Sequence, residues 1–298
     1  EALKFIAAHK DRPFLLYLPH YCVHTPLQAK ADLVKQYKEK VTPEKRHTKP
    51  VYAAMIHSLD ESTGRILAQL DELKLTDNTV VLFTSDNGGL LSSTSNKPLR
   101  AGKGSAYEGG VRVPLIVKWP GLTQPGSLCD EPVISMDIPA TLLEGAAVAS
   151  GPARTPALPE ANADGRSLLP LLKDPHAKLE REAIFWHYPH YHGGGATPYS
   201  AVRCRDWKLI EFCEDERVEL YNLREDEAEK QDLAAKMPEK AAELRKRLHD
   251  WRAAVNAQMP TPNPDYDPKT HKKAANDAEP VFDLKEAGLV AEEGLDYP

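Results

Sequence analysis

The run Val80-Val81-Leu82-Phe83 passes through Thr84 and Ser85 into Asp86 and Asn87, and then into Gly88-Gly89. It is short, β-branched and unalternating, which is the pattern of a buried strand. Ligands of open α/β sheets bind just past the carboxyl ends of such strands. Asp86 and Asn87 place two adjacent oxygen donors there, a chemistry suited to a hard cation such as Ca²⁺ or Mg²⁺. The glycines permit a tight turn and close backbone approach. Taken alone, the tetrapeptide reads more readily as an Asp-Asn-Gly turn closing a strand than as a metal site. Downstream, Lys103 stands between Gly102 and Gly104, where a side chain is poorly shielded and can enter a cleft. Most loop lysines are simply solvated. Upstream, the apolar stretch Leu15-Leu16-Tyr17-Leu18-Pro19 runs into His20, and His24 follows just before Thr25-Pro26. An imidazole titrates near neutrality and suits proton transfer, although lone histidines are more commonly structural.

Considered together, the motifs narrow these readings. Ser85-Asp86-Asn87-Gly88 is followed by Gly-Lys-Gly-x-x-x-Glu-Gly-Gly-x-Arg-x-Pro over Gly102–Pro114, and Ala201-Val202-Arg203 precedes Asp206-Trp207-Lys208-Leu209-Ile210. At this spacing, from about Pro13 to about Trp251, the chain resembles the type I sulfatases of the alkaline-phosphatase superfamily. The resemblance implies that Asp86 and Asn87 form half of a divalent site, usually Ca²⁺ with Mg²⁺ as an alternative. It implies that Lys103 contacts the sulfate and the leaving-group oxygen. His24, in a His-x-Pro element that His20 lacks, is then the favoured general acid. The family's nucleophile is a formylglycine made from the first residue of Cys/Ser-x-Pro-x-Arg. None of Cys22, Cys129, Cys204 or Cys213 opens that motif, no serine does, and there is no Asp-Asp pair. The chain starts at Glu1 in a helical pattern, so a C-terminal portion of a longer sulfatase is expected, with the formylglycine in an upstream segment and no turnover by this portion alone. The implied activity is hydrolysis of an organic sulfate monoester, on a small aryl or a glycan substrate. The alternatives are a phosphomonoester or phosphonate hydrolase of the same superfamily and a non-catalytic sulfated-glycan-binding protein.

Other residues invite roles. Arg100 is a candidate for touching an anionic substrate, with a solvated arginine as the plain alternative. His187, His190 and His192 lie in Trp186-His187-Tyr188-Pro189-His190-Tyr191-His192, beside Gly193-Gly194-Gly195. Closed-site zinc spacing is not met. Aromatic and imidazole groups on a loop suit glycan or aryl recognition, so His187 and His190 are expected to reach over the cleft and bind substrate, or else to pack the lobes together. Glu108 and Arg112 are expected to pair and shape the lysine loop. Trp207 reads as core and Lys208 as an edge-strand charge.

These groups need a scaffold. The chain has 298 residues, enough for one sizeable core and a smaller lobe, and carries a net charge of −6. Nucleic acid is not an expected partner, no segment has the apolar length of a membrane span, and oligomeric state is open. Four scattered cysteines argue against zinc and a disulfide framework, although Cys204 and Cys213 are close enough in sequence to pair across neighbouring strands. Periplasmic or secreted residence follows only from the resemblance. Strands are expected at Phe14–Leu18, Thr79–Thr84 and Pro114–Lys118, and helices at Asp32–Lys40, Val51–Leu75 and Ser135–Leu143. This order fits an α/β fold with a mostly parallel sheet flanked by helices, and the resemblance implies an incomplete alkaline-phosphatase-like domain over 1–178. Gly64 is expected where the long helix packs closely on the sheet. Ala183–Tyr188, Ser200–Arg203, Trp207–Phe212 and Glu219–Leu223 read as strands at hairpin spacing, and Pro238–Ala254 as an amphipathic helix. Together they form a smaller antiparallel sheet plus helix over 179–258. The Pro- and charge-rich 259–298 is expected to be an extended or partly disordered tail.

Overall fold

The computed structural model describes residues 1–41, 49–150, 164–193, 196–265 and 289–291. The chain opens with α1 (Ala2–His9), β1 (Gln28–Lys30), α2 (Ala31–Lys38) and α3 (Pro50–Glu72). Pro50 occupies the first turn of α3, where its missing N–H costs nothing. Val51, Ala54 and Met55 of α3 pack with Leu27, Ala29 and Val34 into a first core. Leu27 is fully buried and lies three residues from His24, so this core anchors the histidine loop.

Next come β2 (Val81–Thr84), the short α4 (Glu108–Val111) and β3 (Leu115–Lys118). β2 and β3 pair antiparallel, with Val81 opposite Lys118 and Thr84 opposite Leu115. Helices α5 (Asp137–Ser150) and α6 (Leu169–Lys173) lead to β4 (Ile184–Tyr188), β5 (Tyr199–Cys204), β6 (Trp207–Phe212) and β7 (Val218–Asn222). These four make one antiparallel sheet in chain order, and α7 (Pro238–Ala254) packs on it. A last strand, β8 (Leu289–Ala291), pairs antiparallel with β1, whose first residue, Gln28, lies four residues beyond His24. The rest of the expected tail beyond Asp265 lies outside the described residues.

The α/β class and the C-terminal sheet with its helix are as expected. The mostly parallel sheet is not found among the described residues, where every ladder is antiparallel. Phe14–Leu18 joins no ladder there, and Tyr17 is 83% exposed. β2 is not buried either: no residue of Val81–Thr84 is in the core. An apolar strand is buried only where other elements cover both its faces, and β2 has one ladder neighbour, β3. Gly64 also departs from expectation, since a Cβ built there meets nothing within 4 Å.

The second sheet shows the two-residue alternation of a pleated ladder. Phe185, Val202, Leu209 and Leu220 face α7, where they meet Ala241, Leu244 and Leu248. Tyr199, Ala201, Ile210 and Tyr221 face the other way, onto Ala106 of the lysine loop. Cys204 and Cys213 are free and partly buried, and burial pushes both thiols up.

Candidate active site

Three loops converge. Lys103 Nζ lies 3.0 Å from His24 Nε2. His24 Nδ1 is 2.7 Å from the carbonyl of Thr25, so Nδ1 carries the proton and donates. Nε2 is then the bare acceptor for the Lys103 ammonium. His24 is exposed and Lys103 partly so, which leaves the pair open to a ligand.

The Asp86 turn is sewn to the lysine loop by backbone. Gly88 N–H donates to Gly110 O at 2.9 Å and Lys103 N–H to Gly89 O at 3.1 Å. A Cβ on Gly88 would sit 1.8 Å from Gly109 O, so glycine is required there by close approach. Asn96 locks the seam: its side chain accepts from Gly89 N–H and donates to the carbonyls of Gly89 and Ala101. Asp86 is exposed, and its Oδ1 accepts from Asn87 N–H at 2.9 Å. The two side chains have the donor chemistry of a hard cation. They supply part of the six to eight oxygens Ca²⁺ takes, and among the described residues no cluster of three or more acidic, His or Cys side chains completes the shell.

The remaining expected residues are placed differently. Arg100 Nη1 donates to Tyr221 Oη at 2.8 Å and to Glu229 O at 2.9 Å, and Nη2 donates to Tyr107 Oη at 3.1 Å. Its guanidinium lies 3.8 Å over the Tyr107 ring. Both phenols donate to Glu219. Burial first, and then that hydrogen bond, push them well above the ordinary tyrosine range, so they stay protonated. Arg100 thus joins the lysine loop to the second sheet, with its side chain 39% exposed.

His187 is drawn the other way. Strand parity turns it to the α7 side, where Nδ1 meets Ser200 Oγ at 2.8 Å and Nε2 meets Gln258 O at 2.7 Å. It therefore does not reach over the cleft. His190 is exposed and stands edge-on to Tyr188. His192 packs against the lysine loop: a Cβ on Gly104, whose φ is +86°, would lie 2.2 Å from His192 Nδ1.

Two pairings also differ from expectation. Arg112 meets Glu227 at 3.7 Å, not Glu108. Glu108 is instead bound to Lys208, which is fully buried on the inner strand β6 and is no edge charge.

Residues 1–148 match the family described as sulfatase, and residues 102–256 match the one described as N-sulphoglucosamine sulphohydrolase, C-terminal. The chain belongs to the sulfatase family. It is 36% identical over 267 residues to a sulfatase of Formosa agariphila, covering 83% of this chain and 47% of that protein. It is 36% identical over 198 residues to human steryl-sulfatase, covering 63% of this chain and 31% of that one. The crystal structure of Ps i-CgsB in complex with k-i-k-neocarrahexaose superposes with a TM-score of 0.69 at 28% identity, over 84% of this chain and 52% of that one. The chain thus spans about half the length, or less, of the curated relatives it matches.

Sequence reasoning missed Asn96, Glu219 and Glu229 among the residues that shape this candidate site. Asn96 sits in a Ser/Asn-rich loop with nothing to single it out. Glu219 did carry a signal, a carboxylate at an inward position of an apolar strand.

Proposed function

We propose that the whole protein to which this chain belongs is a sulfatase that hydrolyses a sulfate monoester, with a sulfated glycan as the substrate class. The observation that carries this reading is the Lys103–His24 contact of 3.0 Å, in a loop sewn by backbone to the Asp86-Asn87 turn. The glycan class is supported by likeness to a protein crystallised with a neocarrahexaose. Asp86 and Asn87 would hold part of a Ca²⁺ site. Such an ion supplies Lewis-acid stabilisation of charge on sulfate oxygens. The formylglycine nucleophile would come from a segment outside these 298 residues.

The chain's own residues act on the leaving group. As the S–O bond breaks, negative charge grows on the ester oxygen. The Lys103 ammonium is placed to stabilise it. His24 Nε2 and Lys103 Nζ share one proton along their contact, and either nitrogen can hand it to the departing alcohol. The Nδ1–H bond to Thr25 O keeps the imidazole turned so that Nε2 faces Lys103.

The test is expression of the whole protein with a formylglycine-generating enzyme. Turnover is then followed on an aryl sulfate, the matching aryl phosphate and a sulfated oligosaccharide, with Asp86→Ala alongside. Sulfate-selective turnover, fastest on the oligosaccharide and lost in Asp86→Ala, is expected. Turnover of the phosphate alone would transfer the protein to phosphomonoester hydrolysis. Tight glycan binding without turnover would leave a binding protein.

A further inference from the structure

The segment that carries Lys103 is fastened to the second sheet at both ends. At its start, Arg100 is held by Tyr221, Tyr107 and the Glu229 carbonyl. At its end, Glu108 enters a buried charge cluster. Lys208 Nζ lies 2.8 Å from Glu108 Oε1 and 3.1 Å from Glu229 Oε1, and all three side chains are 2% exposed or less. Glu229 Oε2 accepts the backbone N–H of Glu108 at 2.7 Å. Arg203 Nη1 stands 3.5 Å from Glu108 Oε2. The cluster therefore balances two carboxylates with two cations. Burial pushes the Glu229 carboxyl up, while Lys208 and the Glu108 N–H oppose that shift.

A buried cluster of this kind is weak evidence for stability, because apolar replacements of the same volume are commonly as stable. Geometry is what it secures. Lys208 is on β6, Glu108 begins α4, and Lys103 lies between the two fastened ends. Lys103's own N–H is bonded to Gly89 O.

We propose that Lys208 is a positioning residue for sulfate ester hydrolysis: through Glu108 and Glu229 it sets Lys103 against His24 and the leaving-group oxygen. This rests on the function proposed above. The consequence is selective. An ammonium beside the leaving oxygen matters in proportion to the charge that grows there. A sugar alcohol is a poor leaving group and depends on that ammonium, whereas 4-nitrophenolate leaves almost unaided. The second lobe then equips the site for unactivated glycan sulfates.

The experiment compares Lys208→Met and Glu229→Gln with Lys103→Ala in the whole, formylglycine-bearing protein. Each variant is assayed on 4-nitrophenyl sulfate and on a sulfated monosaccharide. Lys103→Ala is the reference for a lost ammonium and should cost more on the sugar ester. If it costs the same on both, the role given to Lys103 falls, and the present proposal with it. If Lys103→Ala discriminates, Lys208→Met is expected to follow it, with kcat falling roughly tenfold further on the sugar ester than on the aryl ester while KM moves by less than about threefold. Equal losses on both esters, or none, would overturn the positioning role and leave the site reading intact. Glu229→Gln keeps an acceptor for the Glu108 N–H while removing one charge, and should show the same pattern more weakly if Lys208→Met does not fold. Should neither variant fold, native-state hydrogen exchange of the unaltered protein decides. Amides of 101–106 that open together with β6 support the clamp, and amides that open independently of β6 refute it.

Discussion

The β2–β3 pair and the β4–β7 sheet are both antiparallel and both rich in β-formers, yet they live in different environments. In β2 no side chain is buried, and Ile116 of β3 is 62% exposed. In β6 the run Lys208-Leu209-Ile210-Glu211 is buried throughout. The second sheet is sealed on one face by α7 and on the other by the lysine loop. The first has the Asp86-Asn87 turn at its end and little over its faces within the described residues. Identical strand chemistry thus carries no fixed burial: coverage by other elements decides it. The chemical groups follow the same division. Asp86 is exposed beside the first region and His24 on the loop before β1, while Lys208 and Glu229, which hold the end of the Lys103 segment, are buried with the second.

The sharpest attack on this comparison is at the joint between the regions. Asp137 at the start of α5 is fully buried and bridges to Arg181, whose side chain is 10% exposed. It also accepts the N–H groups of Ile134 and Arg166. Asp137→Ala leaves the guanidinium buried without its carboxylate and should cost about 3–5 kcal/mol, read as a fall in the urea midpoint. A loss below about 1 kcal/mol would mean that water reaches the joint.

Next comes a matched pair. Leu209→Ala opens a cavity in the fully buried core under α7 and should cost about 2–5 kcal/mol. Ile116→Ala should stay within about 0.5 kcal/mol. Equal losses in the whole protein would abolish the contrast, because they would show the β3 face to be as covered as the β6 core.

The smallest expected effect has the opposite sign. Gly64 lies exposed within α3, and a Cβ there meets nothing. Gly64→Ala should therefore stabilise by about 0.5–1 kcal/mol, as a rise in melting temperature. A destabilised variant would mean that another element lies close against that turn of α3.

Most elements were legible in the residues because helix and hairpin periodicity is local. The 3–4 spacing of α3, the four strands and the stripe of α7 were all expected within a few residues of their observed ends. The motifs that carry Asp86, Asn87, Lys103 and His24 are likewise local stretches of sequence. Tertiary structure alone brought Lys103 and His24 into contact across 79 residues of chain. It alone decided which face of β4 meets the lysine loop, and so turned His187 toward α7. It also buried Lys208 against Glu108, 100 residues away, where its sequence neighbours had suggested an exposed edge. The physical reason is common to all three. A backbone's local conformation follows from the side chains beside it, whereas burial and ion pairing depend on partners that only the folded chain brings near.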